Sequence, residues 1–472
     1  MIDFSDVRFA KKALEFFLEI SKIPRGSGNT GPIADHLEGF AYKRGVYCKR
    51  DANNSVIIKK PASLGFESHD PVILQGHTDI VAEKTKDATI DMEKEGLNVY
   101  RDGDFLRAKD TTLGADNGVA LAYMLAILDD KDISHPEIEA VFTSDEETGL
   151  TGAEGLDTSE LRGRRMINLD SDEEGAFVVG CAGGLRITVT LRSARTVSVP
   201  RGYRLTVAGL LGGHSGTDIN LCRANAVKLA ARILGAEKNI LLTSLVGGNK
   251  DNAIPREAVA EFSADDIEKA QAEADKIIEE YKDTVEKPII SFEEIELDMP
   301  SFDKKTSRDI LDLICEIPFG VIKMSGDIEG LVETSINLGI MKTLSSGFEV
   351  HYSLRSSKES EKASLAERVH TLALKYGAEF ADGDAYPGWA YKKDSELRQT
   401  MVEVYKKMTG KEPRVFAIHA GLECGILMDK IEGLDCISMG PDNFAYHTTE
   451  EHLSISSFDR VYAYLLEVLK NL

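Results

Sequence analysis

Three short apolar runs in the first 180 residues, Val72-Ile73-Leu74, Ile138–Phe142 and Met166–Leu169, each stop on a polar cluster. The clusters are GHTD (Gly76–Asp79), TSDEETG (Thr143–Gly149) and DSDEEG (Asp170–Gly175). Runs so short, bounded by polar residues, read as buried strands. Between the first two lies the Ala/Leu-rich stretch Gly118–Leu128, predicted to be a helix buried on most sides, and TTLGADNG leads into it. Another helix is predicted around Arg8–Ile20. Strands alternating with helices predict an α/β domain, a mostly parallel central sheet flanked by helices. Ligands of such sheets sit beyond the carboxyl ends of the strands, and there the polar clusters fall.

A chain of 472 residues exceeds one ordinary domain. From about Cys181 to Asp384 the texture changes to a strand–helix–strand–strand–helix pattern read twice. The first copy takes strands near Leu185–Leu191, Arg204–Val207 and Ile240–Leu245 with helices at Arg223–Leu234 and Asp265–Lys282. The second takes helices at Lys305–Cys315 and Ser364–Tyr376 with strands at Phe319–Lys323, Ile336–Thr343 and Phe348–Leu354. We therefore expect one α/β domain split over 1–182 and 386–472, and an inserted α+β domain of two ferredoxin-like halves over 183–385. The net charge of −23 argues against sequence-independent binding to nucleic acid or anionic membranes. Six scattered cysteines without a CxxC pair read as reduced thiols. With no apolar run of membrane-spanning length and no secretory-type N-terminus, a cytoplasmic protein is expected.

Each cluster alone has an ordinary explanation. His77 and Asp79 point the same way on an extended segment, as many surface pairs do. Asp116 is a plausible helix N-cap, and Asp145, Glu146, Glu147 and Asp170 could be loop charges. Together they converge on one sheet edge, where bare carboxylates would repel one another and a pair of divalent metals would remove that cost. Ligands drawn from His, Asp and Glu without Cys fit zinc or manganese with open positions for water.

GHTD, TTLGADNG, SDEETGLTGAEGLD, NLDSDEEG, GCAGG and GGHSG occur in this order, followed by HAGLECG and SMGP with a later His. In these motifs, and from IPRGSGN through YPGW at Tyr386–Trp389 to the last helix, the sequence resembles the aminoacyl-histidine dipeptidases. These belong to the zinc metallopeptidase family that also holds carboxypeptidase G and the aminoacylases. The resemblance implies that His77 and Asp170 bind one zinc, Glu147 and His447 the other, and Asp116 both, with a cis Asp116–Asn117 peptide. It makes Asp79 the group that orients His77 and Glu146 the general base. In the inserted domain it makes His214 the oxyanion donor, with Asn252 and Arg355 holding the substrate's C-terminal carboxylate. Gly440 is expected to add a backbone contact and Glu423 to meet the free amine.

The activity implied is hydrolysis of dipeptides, Xaa-His and other unblocked ones, by a metal-bridged water that Glu146 deprotonates. Domain closure is expected to complete the site. Zinc is the expected metal, with Mn2+ or Co2+ as alternatives. An N-acyl amino acid deacylase, a longer-peptide exopeptidase and a non-catalytic binder on the same scaffold are the competing readings. The partner is a dipeptide substrate. In smaller relatives a one-unit lid dimerises, so the double-length lid leaves monomer and homodimer both open. Two departures stand out: Asp110 where relatives usually have Gly, and Thr448-Thr449 after His447 where Ser-Pro is common.

Overall fold

The computed structural model describes residues 2–472, which form two compact units. One comprises the chain up to Gly180 together with Tyr391–Ala417 and Leu422–Leu472; the other is Cys181–Ala390 with Ile418–Gly421.

The first unit is α/β, built on an eight-stranded sheet. Its centre is parallel: Val72–His77 lies between Ile138–Thr143 and Arg165–Asn168, and Asp435–Ser438 extends the order beyond Arg165–Asn168. Antiparallel strands flank it, Val56–Lys60 beside Ile138–Thr143 and Ala176–Cys181 beside Asp435–Ser438. The Val72–His77 and Ile138–Thr143 strands are buried at every position, which explains why they read as continuous apolar runs. Register puts His77 opposite Thr143 and Gln75 opposite Asn168. The three polar clusters therefore emerge side by side. The predicted buried helix is Ala115–Asp129, apolar all round, and the N-terminal helix begins at Lys11 rather than Arg8.

In the second unit a nine-stranded antiparallel sheet carries four helices. Two ferredoxin-like halves are present, but one is nested in the other. Arg201–Ala208, Leu241–Gly247, Ala258–Ser263 and Ile289–Glu296 stand in the order fourth, first, third, second. Gly183–Arg192, Val332–Leu344, Gly347–Ser356 and Glu379–Tyr386 repeat that order. The strand near Leu185–Leu191, expected in the first half, thus belongs to the second, pairing with Gly347–Ser356 on one side and Glu379–Tyr386 on the other. The edge strand Ile289–Glu296 is not among the expected strands; its exposed residues are Ile289, Ser291, Glu293, Glu294 and Glu296, which leaves no clean apolar alternation. The helix predicted at Arg223 starts at Ala226, where the Asn225 side chain accepts from the amides of Val227 and Lys228. Ile418–Gly421 joins this unit through a Ser335–His419 hydrogen bond of 2.7 Å and the Ala182 amide donating to the Ala420 carbonyl. Among the described residues no helix is long and apolar enough to cross a membrane.

Candidate metal centre

His77 ends its strand with only 1 % exposure, and two features fix its ring. Nδ1 lies 3.1 Å from the Asp79 carbonyl and 3.3 Å from the Asp79 carboxylate, so in the neutral ring Nδ1 keeps the proton and Nε2 offers its lone pair. The Asp79 carboxylate also accepts from the Ser27 hydroxyl and the amides of Glu146 and Glu147. One side chain thus orients the imidazole and anchors the acidic loop beside it.

Asp116 stands in the first turn of its helix with non-helical backbone angles, and the Asp116–Asn117 peptide is cis. The Asn117 side chain donates to the Leu169 carbonyl, tying this turn to the strand end that carries Asp170. One Asp116 oxygen is 3.0 Å from His77 Nε2 and the other 3.1 Å from His447 Nε2. Asp170 lies 3.5 Å from His77 Nε2, and Glu147 lies 2.8 Å from His447 Nε2. Three ligand-type groups result, each with its atoms within 4.8 Å of one another: His77–Asp116–Asp170, Asp116–Glu147–His447, and His77–Glu146–Glu147. The first two share Asp116.

The electrostatics are those of a centre short of positive charge. Burial works against the His77 imidazolium, but Asp170, Asp116 and Asp79 outweigh it and hold the group well above its ordinary value. Hydrogen bonds donated to the Asp116 and Glu147 carboxylates push His447 up to about 10. Burial raises Asp170 to about 6 and Glu146 well above the carboxylate range, with neighbouring carboxylates adding to both. For Asp116 burial is outweighed by the two histidines, and its pKa falls. Nitrogen and oxygen donors without sulfur, crowded until they retain protons, fit a pair of divalent cations.

Beneath the centre, Glu423 is fully buried and raised to about 7, chiefly by desolvation. One of its oxygens accepts from Gln75 and Thr143, while the other has no partner. Gln75 in turn accepts from Asn168. Sequence reasoning missed this network, although a Gln inside an otherwise apolar strand run is its visible signal. Gly440 packs so tightly that a Cβ there would sit 1.6 Å from the Ser171 carbonyl oxygen. Asp110, the departure from Gly, adopts a positive φ of 62° that Asp tolerates better than most residues.

His214, Asn252 and Arg355 all lie in the second unit. The short pairing of Gly213–His214 with Ala253–Ile254 sets His214 beside the Asn252 segment, and the Asn252 side chain is exposed. His214 Nδ1 faces the amides of Gly216 and Thr217, which donate to it, so the ring proton resides on Nε2. Burial and the Arg355 charge lower its pKa, favouring the neutral ring. Arg355 is buried, bonded through Nη1 to the Tyr386 hydroxyl, with Nε unpartnered. His419, in HAGLECG, was not singled out from sequence. It is buried with Nδ1 unpartnered, and burial together with Arg355 lowers it to about 3.

Residues 73–471 match the model of peptidase family M20/M25/M40. The chain is 35% identical over 474 residues to the cytosol non-specific dipeptidase of Escherichia coli K12, covering 97% of each. It superposes on the aminoacylhistidine dipeptidase of Vibrio alginolyticus with a TM-score of 0.92 and 33% identity, covering 98% of this chain and 97% of that one. A tripeptidase of Staphylococcus aureus, 16% identical, shares the fold with a TM-score of 0.57 over 98% of both chains. The chain belongs to peptidase family M20/M25/M40.

Proposed function

We propose that this chain is a metallodipeptidase that hydrolyses unblocked dipeptides, Xaa-His among them. The observation that carries this reading is Asp116 shared between two ligand triads, with Glu146 beside them. His77 and Asp170 would hold one ion and Glu147 and His447 the other, with Asp116 common to both. Zinc is the metal this donor set favours, with Mn2+ or Co2+ able to replace it. Bound there, the ions would acidify a water and polarise the scissile carbonyl.

The chain's own groups do the rest. Glu146, whose pKa lies well above the usual carboxylate range, takes a proton from the water and returns it to the leaving amine. His214 presents an Nε2–H donor to the developing oxyanion. Arg355 and Asn252 hold the C-terminal carboxylate, and Gly440 contributes backbone. The unpartnered oxygen of Glu423 suits a free ammonium group, which distinguishes a dipeptide from an acylated amino acid. The kinship with a cytosol dipeptidase supports a cytoplasmic location. A panel of Xaa-His dipeptides, other dipeptides and N-acetyl amino acids tests the substrate class. Turnover of dipeptides is expected; turnover confined to acetylated amino acids would make the chain a deacylase.

A further inference from the structure

The helix that carries Asp116 has a start that cannot cap itself. Its first four amides lack intrahelical partners, as at every helix N-terminus, and Gly114 at the N-cap, φ 68°, offers no side chain. The missing acceptor comes from far along the chain. One oxygen of Glu451 accepts from the amides of Leu113 and Gly114, both at 2.8 Å. The other accepts from Ala115 at 2.9 Å and Asp116 at 3.3 Å. Four consecutive amides thus converge on one carboxylate that is 2 % exposed.

Arg25, 1 % exposed, completes the arrangement from the opposite side. Nη2 donates to the Gly114 carbonyl at 2.7 Å, and Nη1 to the Thr78 carbonyl at 2.8 Å, one residue beyond His77. Burial lowers its pKa only to about 10, the charges of Asp79, Glu451 and Asp116 opposing the shift, so it stays cationic. The glycines of TTLGADNG make room for it. A Cβ on Gly114 would meet Arg25 Nη2 at 3.1 Å, and one on Gly118 would meet it at 2.7 Å.

We propose that Glu451, backed by Arg25, is the positioning residue that sets the Asp116 carboxylate between His77 and His447. The proposal rests on the metal-centre reading above. Glu451 follows His447 by four residues, so the loop that brings His447 to Asp116 also fixes the backbone of Asp116. Outer partners of this kind typically govern metal affinity by about 10–100-fold.

The test measures metal affinity by competition with a chelator, using Zn2+ and Mn2+ on the full chain. In Glu451→Gln the amide nitrogen faces backbone N–H groups, so at least two of the four bonds are lost. Affinity for both metal equivalents is expected to fall about 10–100-fold. Saturating metal should restore most of kcat at an unchanged KM. Arg25→Lys, which keeps charge but loses the fork, is expected to show a smaller fall and serves alone if Glu451→Gln does not fold. Glu139→Gln is the control for general destabilisation. Glu139 is a buried carboxylate that accepts from the Arg162 and Gly163 amides and pairs with Lys59. This control should lose thermal stability at unchanged metal affinity. Wild-type affinity in folded Glu451→Gln, or a loss no larger than in Glu139→Gln, overturns the proposal. Asp116→Asn separates the two levels: if it binds two metals as tightly as wild type, the metal-centre reading itself is wrong.

Discussion

Gly76→Ala probes how closely the sheet and the Asp116 helix must approach for the centre to form. Gly76 precedes His77 in a fully buried strand, and a Cβ there would lie 2.2 Å from the Ala120 Cβ and 2.3 Å from Asn117 Oδ1. Both contacts are more than 1 Å too short for carbon and oxygen atoms in van der Waals contact, roughly 3.5 Å. Ala120 has no flexible side chain to move aside, so the helix itself must shift. Overpacking of this kind costs about 1–3 kcal/mol, and for a unit of this size each kcal/mol lowers Tm by roughly 2–4 °C. The same shift moves Asn117, and with it Asp116, by more than the ~0.2 Å that metal–ligand distances tolerate. Metal affinity should therefore fall at least about 10-fold, the low end for a perturbed ligand environment. Thermal melts with and without chelator, together with a metal-competition titration, read both effects. Gly39→Ala is the paired control. Gly39 lies inside the helix Gly31–Arg44 with nothing within 4 Å of its would-be Cβ. Alanine there should stabilise by about 0.5–1 kcal/mol and leave the metals alone. Wild-type melting and metal affinity in Gly76→Ala, or equal damage from Gly39→Ala, would show that the centre does not depend on this close approach.

Glu423→Gln should raise KM for unblocked dipeptides about 10-fold while both metals stay bound, the loss of one charge-assisted contact being worth about 1.5 kcal/mol; steady-state kinetics with metal analysis checks it. His214→Ala should lower kcat by about 100–1,000-fold, as removal of an oxyanion donor does, again with metal content unchanged. The metal-free protein should lose stability as pH rises from 5 to 8. Asp170 and Glu423, raised to about 6 and 7, and His447, raised to about 10, all hold protons in the folded chain that the unfolded chain has released. Their stabilisation is full below the unfolded values and fades as pH climbs through the folded ones. Metal replaces those protons, so the Tm gap between loaded and chelated protein should widen with pH. A constant gap would contradict this.

The strand-end clusters were legible because parallel strands buried on both faces leave uninterrupted apolar runs, and whatever stops the run marks the ligand edge. Asp116 was legible as a residue opening an apolar helix, and the family motifs supplied His447. Glu451 and Arg25 were not legible: their bonds span 335 to 338 and 53 to 89 positions, and no local periodicity encodes such pairs. Gly183–Arg192 pairs with a strand more than 150 residues later, so sequence order alone assigned it to the nearer half. Ile289–Glu296 was not legible because this solvated edge strand exposes Ile289, Ser291, Glu293, Glu294 and Glu296 and so carries no strict apolar–polar alternation. His419 lies inside the HAGLECG motif, but only burial and an unpartnered nitrogen single it out.

In the proposed mechanism Glu146 moves the proton at a centre holding two metals. Counting bound metal and measuring dipeptide turnover side by side, in wild type and Glu146→Ala, tests it most directly. Two metals per chain are expected in both proteins, with turnover in the variant reduced by about 100–10,000-fold or more. Wild-type turnover in the variant, or an active wild-type enzyme that binds no metal, would rule this mechanism out.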